Sequence, residues 1–246
     1  MIGYLRLQVL SAVRDPRYLM LAVAAPIGFY LLFSALFGQD TDPAAGGVKA
    51  QVLMIVSMSV FGAMWAVLSA TGPRVAQERS IGWLRQLRLL PVRSPAILAG
   101  RLLAALVVAG PAIVLVFITG AIAHGVSMEA WRWTLLLAVI WLGIVPVGAL
   151  GLVIGYAADA EVAFGIVYGL YMVLAALGGL WMPMSILPSG LQTIGKLLPS
   201  YRVADIGWRI LAGRSIDVSS MLILIAWTAG CTLLALFFAR RTARSR

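Results

Sequence analysis

The chain has 246 residues, 62% of them hydrophobic and only 11% charged. Soluble domains run at roughly 45–50% apolar and about 25% charged, so a soluble globular fold is excluded, and the absence of period-2 alternation excludes a membrane β-barrel. The net charge of +10 does not mark a nucleic-acid binder, because the basic residues sit at the ends of apolar runs, where they orient the chain and meet anionic lipid.

In chain order, residues 1–16 come first. Ile2, Leu5, Val9, Ala12 and Val13 fall on one helical face, and Tyr4, Gln8, Ser11 and Arg14 on the other. That pattern predicts a helix lying in the membrane interface. Asp15-Pro16 breaks it, since a residue before proline avoids the helical region. The competing reading, a cleaved signal peptide, fits less well because the apolar run that follows has full span length.

A bilayer crossing needs about 20 mostly apolar residues. Six such spans follow, at roughly 18–38, 50–72, 96–123, 133–157, 162–182 and 218–239. The third and fourth are long enough to tilt or project. The fold class is therefore an all-α membrane protein with six transmembrane helices in one domain, 1–246, with no soluble domain inserted. The loop at 39–49 is short and turn-rich, and residues 157–162, around Asp159 and Glu161, form a tight turn. Residues 183–217 are too polar and proline-broken to span twice, and read as short helices on the outer face, covered by protein or water where they dip inward.

Lys and Arg in the connecting segments set orientation. With the N-terminus inside, the inner side holds thirteen of the nineteen, among them Arg74, Arg79, Arg85, Arg88, Arg93 and Arg101, and the outer side six. Both termini are predicted to be cytoplasmic. Arginine outnumbers lysine 17 to 2, which with the high alanine content hints at a GC-rich bacterial genome.

Several chemistries lack their residues. There is no GxxxxGK[ST] phosphate loop and no Cys/His cluster at metal-ligand spacing. Cys231 is the only cysteine, a small hydrophobe in an apolar run; His124 is the only histidine and sits at a span end. No cofactor, no metal and no catalytic residue is expected. The spans are nearly free of Asp, Glu, Lys and Arg, which argues against ion-coupled transport, because a coupling ion must bind something within the bilayer. Passive channels, structural proteins, membrane enzymes and externally powered transporters are left.

The segment 74–95 is basic and amphipathic between two apolar runs. As a helix beginning near Glu78, it places Trp83, Leu84, Leu87 and Leu90 on one face and Glu78, Arg79, Gly82, Arg85 and Gln86 on the other, with Pro91 and Pro95 ending it. Such a face either docks into a groove on a soluble protein, with Trp83 as the anchor, or lies on anionic lipid.

The pattern Glu78-Arg79-x-x-Gly82-x-Leu84-x-x-Leu87, then Pro91 and Ile97-Leu98-Ala99-Gly100-Arg101, resembles the cytoplasmic coupling-helix region of type-2 ABC exporter permeases. These are the membrane subunits of the daunorubicin-resistance and O-antigen exporter kind. Trp181-Met182-Pro183, Leu187-Pro188, Leu191-Gln192 and Leu198-Pro199-x-Tyr201 are similar to that family's extracellular segment before the last span. The resemblance covers essentially the whole chain. One departure is Ser80, where the family often has a second acid, so the docking face here is more basic.

The resemblance implies a permease that works as a dimer, with a second copy or a related permease, in a bacterial cytoplasmic (inner) membrane. It implies a separate cytoplasmic ABC ATPase as the engine. Glu78, Arg79, Gly82, Trp83, Arg85, Leu87 and Arg88 would couple to that ATPase. Pro183, Leu187, Pro188, Pro199 and Tyr201 would belong to an extracellular gate, with Asp159 and Glu161 adding a smaller inner contact. Gly151, Gly155, Gly165, Gly169, Gly178 and Gly179 would permit close helix contacts. The cargo would be hydrophobic or amphipathic (a drug, antibiotic or lipid), since the spans offer few polar anchors. The alternatives are a lipid-linked glycan exporter of the same superfamily and a membrane assembly factor without a transport cycle.

Overall fold

The structure, a computed structural model, describes residues 20–38, 41–42, 47–82 and 94–244. The expected interfacial helix at 1–16 and the residues Trp83, Arg85, Leu87 and Arg88 lie outside the described residues.

Among the described residues, six helical stretches are long and apolar enough to cross a membrane: Met20–Phe37, Ala50–Ser80, Pro95–His124, Ala130–Ala157, Ala160–Leu177 and Val218–Arg241. They match the six apolar runs in the sequence. Among the described residues, ten α-helices build them and the connections: α1 (Ala25–Phe37), α2 (Ala50–Thr71), α3 (Pro73–Ser80), α4 (Ser94–His124), α5 (Ala130–Gly143), α6 (Val145–Ala157), α7 (Ala160–Leu177), α8 (Ser189–Leu197), α9 (Pro199–Leu211) and α10 (Val218–Arg244). A π-helical turn, Met20–Ala24, leads into α1. Within the loop after α1, β1 (Thr41–Asp42) pairs antiparallel with β2 (Val48–Lys49).

The second span is the axis of the bundle. Of its most apolar window, 78% is buried, against 22% for the first span and 11% for the last. Helix α2 packs on α1, α4, α6 and α9, and its all-round apolar sequence fits a helix covered on every side. The fourth span is two helices, because α5 stops at Gly143 and α6 begins anew with Pro146 in its first turn. Proline lacks the N–H an interior turn needs and is placed at a first turn at no such cost. Indole Nε1 of Trp141 donates to the Leu106 carbonyl at 2.7 Å, which ties α5 to α4 where that break begins.

The same device shapes the second span. Gly72-Pro73 separates α2 from α3, with Pro73 in the first turn of α3. The expected helix beginning near Glu78 is therefore corrected: Glu78 and Arg79 lie in the last turn of a helix that continues the second span. Gly82 follows with φ +77°, a left-handed conformation that ends helices and that glycine adopts without a Cβ penalty.

The glycine expectation holds in part. A Cβ on Gly155 would come within 2.7–2.8 Å of the Thr71 and Gly72 carbonyls and of Val75 Cβ, and one on Gly151 would overlap Thr71 Oγ1. Helix α6 thus lies directly on the backbone of the Gly72-Pro73 kink. Gly178 and Gly179 are likewise closely covered. Gly165 and Gly169 meet nothing within 4 Å and face outward.

Candidate functional site

Two polar assemblies stand at opposite ends of the bundle. The first is built on α3. Because α3 is only eight residues long and emerges from the α2 kink, it projects its last turn across the ends of α4 and α6 rather than into open space. The Arg101 guanidinium, one turn inside the third span, meets Glu78 at 2.7 Å with its side chain only 6% exposed; Arg74 approaches Glu78 at 3.6 Å from one turn earlier. The adjacent Arg79 turns to a different helix. It donates to the Tyr156 carbonyl, to the Ala158 carbonyl at 2.6 Å and to Asp159 Oδ1 at 3.2 Å. Those carbonyls belong to the end of α6, where backbone acceptors have no partner in the helix and a cation is favoured.

Two consecutive residues thus clasp two parts of the bundle. Glu78 holds the third span, and Arg79 holds the fourth span and the turn into the fifth. A buried ion pair adds little over a well-packed apolar pair, but losing one partner strands a charge. Its use here is geometric, since it fixes the angle at which α3 leaves the bundle. Beside the clasp, a cleft of about 240 Å³ is lined by Ala76, Arg79, Ser80, Asp159, Ala160 and Glu161. Asp159 is 93% exposed even while paired to Arg79.

Of the expected coupling residues, the structure brings Glu78, Arg79 and Gly82 to this junction. Glu78 and Arg79 direct their charges inward, to partners within the chain, rather than outward on a free face. Asp159 and Glu161 join Arg79 at the cleft. In the sequence alone Arg101 reads only as a positive charge and part of the motif. Its signal was available, since an arginine inside an apolar run is costly unless it has a partner.

The second assembly is built on α8 and α9. Pro183 precedes the 3₁₀ turn Met184–Ile186, Leu187 is extended, Pro188 precedes α8 and Pro199 opens α9. The prolines therefore set the starts of three short helices, as the broken pattern suggested. Helix α8 is largely exposed, whereas α9 is buried along one side. Ser200 Oγ donates to the Leu174 carbonyl at 2.8 Å, and Trp208 Nε1 reaches Ser57 Oγ at 3.2 Å and the Leu53 carbonyl at 3.3 Å. Helix α9 is thereby pinned to the fifth and second spans. Tyr201 stacks edge-on against Trp208 at 6.0 Å, under the Arg202 guanidinium. Burial pushes the Tyr201 phenol up, with Asp205 adding to it.

Charges then tie α9 to the last span. Asp205 accepts from Arg209 at 2.9 Å and from Ser220 at 3.1 Å, and Asp217 lies 3.7 Å from Arg202 and 4.0 Å from Arg209. The Ser219 hydroxyl and backbone N–H donate to Asp217 and hold its carboxyl below the usual aspartate range. The sequence pointed to prolines and Tyr201 here; the polar ties through Asp205, Trp208 and Arg209 went unread, because each looks like an ordinary surface residue in the sequence.

Six apolar helices among the described residues, with their charges gathered at the two ends, define a polytopic helical membrane protein. The family model described as "ABC-2 type transporter" matches residues 4–207, and the chain belongs to that family. It is an ABC-2 permease, a transmembrane transporter subunit rather than an enzyme. It is also 33% identical over 228 residues, 93% of this chain and 92% of the other, to "Putative transport permease YvfS" of Bacillus subtilis (strain 168).

Proposed function

We propose that this permease is the membrane half of an ATP-driven exporter that moves hydrophobic or amphipathic molecules out across the bacterial cytoplasmic membrane. The engine is a separate ABC ATPase that docks on the segment 74–95. The observation that carries this reading is the clasp: α3, which forms the beginning of that segment, is held by Glu78 to the third span and by Arg79 to the fourth and fifth. A push on the segment is therefore delivered to three spans at once. For nucleotide to drive transport, it must favour one arrangement of those spans over another, and rigid shifts of packed helices are a known means.

The permease acts as a dimer with both termini cytoplasmic. Gly165 and Gly169, one turn apart on the exposed face of α7, suit close approach by a second helix. The short helices over 183–217 gate the outer end, with α9 fastened to the second, fifth and last spans.

The test is co-purification of the permease with the ATPase encoded beside it, followed by transport in vesicles. Trp83→Ala is expected to reduce ATPase capture while leaving membrane insertion unchanged. Charge reversal at Arg85 and Arg88 is expected to make the residual complex less sensitive to salt. Unchanged capture in both variants, or full pumping by the permease alone, would overturn the reading.

A further inference from the structure

The end of α10 nearest the clasp carries charge that no acid in its neighbourhood meets. Arg74, Arg79, Arg101, Arg202 and Arg209 each lie within 4.0 Å of a carboxylate. Arg240 and Arg241 are exposed, and neither guanidinium has a carboxylate partner among the described residues. No Asp or Glu follows Asp217 in the sequence, while Arg240, Arg241, Arg244 and Arg246 follow in quick succession. Positions 240, 241 and 244 are spaced i, i+1 and i+4, which places them on one side of α10.

The height of these residues is set by the helix itself. Val218 to Ala239 holds no charged residue. At 1.5 Å per residue it rises about 32 Å, close to the roughly 30 Å of hydrocarbon in a bilayer. Arg240 and Arg241 therefore emerge at the phosphate layer. An arginine at a span end needs no further explanation by itself, since such residues orient helices. What sets this pair apart is the turn before it. Only 11% of the apolar window of α10 is buried, yet Ala235 and Ala239 are packed into a small core of their own. That core holds Val75 of α3, Leu98 of α4, and Leu152 and Tyr156 of α6. The Tyr156 carbonyl is one that Arg79 grips. The last apolar turn of α10 thus rests on α3 and on the end of α6 that α3 holds, and Arg240 follows it immediately.

We propose that the basic last turn of α10 binds the headgroups of anionic phospholipid and so braces the clasp from the membrane surface. A guanidinium offers two parallel donors that match a phosphate. Near an anionic bilayer each arginine adds about fivefold to binding, and no acid on α10 opposes it. Lipid is the occupant because α10 is open along its length and its apolar run ends at the headgroups. The proposal requires only that α10 crosses the bilayer; neither the cargo nor the ATPase enters it.

The experiment has two arms, both on the full-length permease. In the first, detergent-solubilised protein is offered equal phosphatidylglycerol and phosphatidylcholine, and retained lipid is counted by native mass spectrometry. Phosphatidylglycerol is expected to be preferred, and Arg240→Gln and Arg241→Gln each to reduce the preference about fivefold. The double Arg→Lys variant is expected to keep most of it. Arg214→Gln, before the other end of α10 and close in sequence to Asp217, is expected to leave it unchanged. In the second arm, hydrogen–deuterium exchange is followed in nanodiscs of either lipid. Phosphatidylglycerol is expected to slow exchange over 73–80 and 152–158 in the wild type and not in the double Gln variant. In phosphatidylcholine discs that variant is expected to match the wild type, because neither arginine has a carboxylate partner to lose.

Equal retention of the two lipids, an unaltered preference in the double Gln variant, or an equal loss in Arg214→Gln would each overturn the site. Lipid preference with no slowing of exchange would overturn the brace. Displacement of phosphatidylglycerol by inorganic phosphate at fixed ionic strength would assign the arginines to free phosphate and overturn the lipid. Loss of ATPase capture in the double Gln variant, with lipid preference intact, would assign the turn to protein contact and overturn the proposal.

Discussion

The two ends of the bundle use charge in opposite ways. At the α3 end, Glu78 and Arg79 reach partners far away in sequence, at Arg101 and at residues 156–159, and most of those side chains are shielded. At the α9 end, Asp205, Arg209, Asp217 and Ser220 fall within sixteen consecutive residues, and the outer pair is open: Arg209 is 35% and Asp217 32% exposed, although Asp205 and Arg202 are shielded at 13% and 14%. Shielded long-range pairs fix the relative position of whole spans, because a stranded partner has no water to turn to. Open local pairs are worth little individually and are screened by salt. One end therefore behaves as a stiff joint and the other as a releasable latch, which suits the proposed drive at one side and the proposed gate at the other.

That contrast can be broken by substitution. The largest effect is expected from Arg101→Met, which strands Glu78 and costs about 3–5 kcal/mol, read as lost unfolding stability of the purified protein. The double variant Glu78→Gln/Arg101→Met is expected to recover most of that loss. If Arg209→Met at the other end costs as much as Arg101→Met, the contrast between stiff and releasable ends fails. A smaller effect is expected from Gly155→Ala, whose Cβ would press on the backbone of the α2–α3 kink. Overpacking of this kind costs about 1–3 kcal/mol, whereas Gly230→Ala, with open space around it, is expected not to be destabilising in the same unfolding assay.

The smallest effect concerns acid. Asp217 has a lowered folded pKa, set first by the Ser219 hydrogen bonds. Its contribution is therefore fully present above the ordinary aspartate pKa and is lost as pH falls through the lower folded value. Accessibility of the last-span N-terminus to a water-soluble probe is expected to rise in that acid window. Asp217→Asn is expected to remove this rise and leave the α3 end unaltered. A pH response that persists in the variant would assign it to another group.

The expected helix starting near Glu78 shows where sequence reading stopped short. Amphipathic spacing over 78–90 is present in the sequence, but it does not reveal that Pro73 starts a helix that follows the second span after the Gly72 kink. Nor could it reveal that Gly82, in a left-handed turn, ends that helix. The acid and the base of the motif looked like one exposed face because helical projection shows which residues share a side, not what that side meets. The prolines at 183, 188 and 199 were readable in advance because proline imposes its own backbone angle whatever surrounds it.

What the amino-acid sequence determined by itself was the solvent and the punctuation. Apolar runs of span length must lie in lipid, charges must sit at their ends, and proline and glycine must interrupt the helices where they occur; these follow from transfer energies and local sterics. What only the tertiary structure decided was partnership: that Glu78 takes Arg101 while its neighbour Arg79 takes the end of α6, and that Gly155 is covered and Gly165 is not. Partnership depends on distances between residues far apart in the chain, and those are set by how helices pack, which local pattern does not encode.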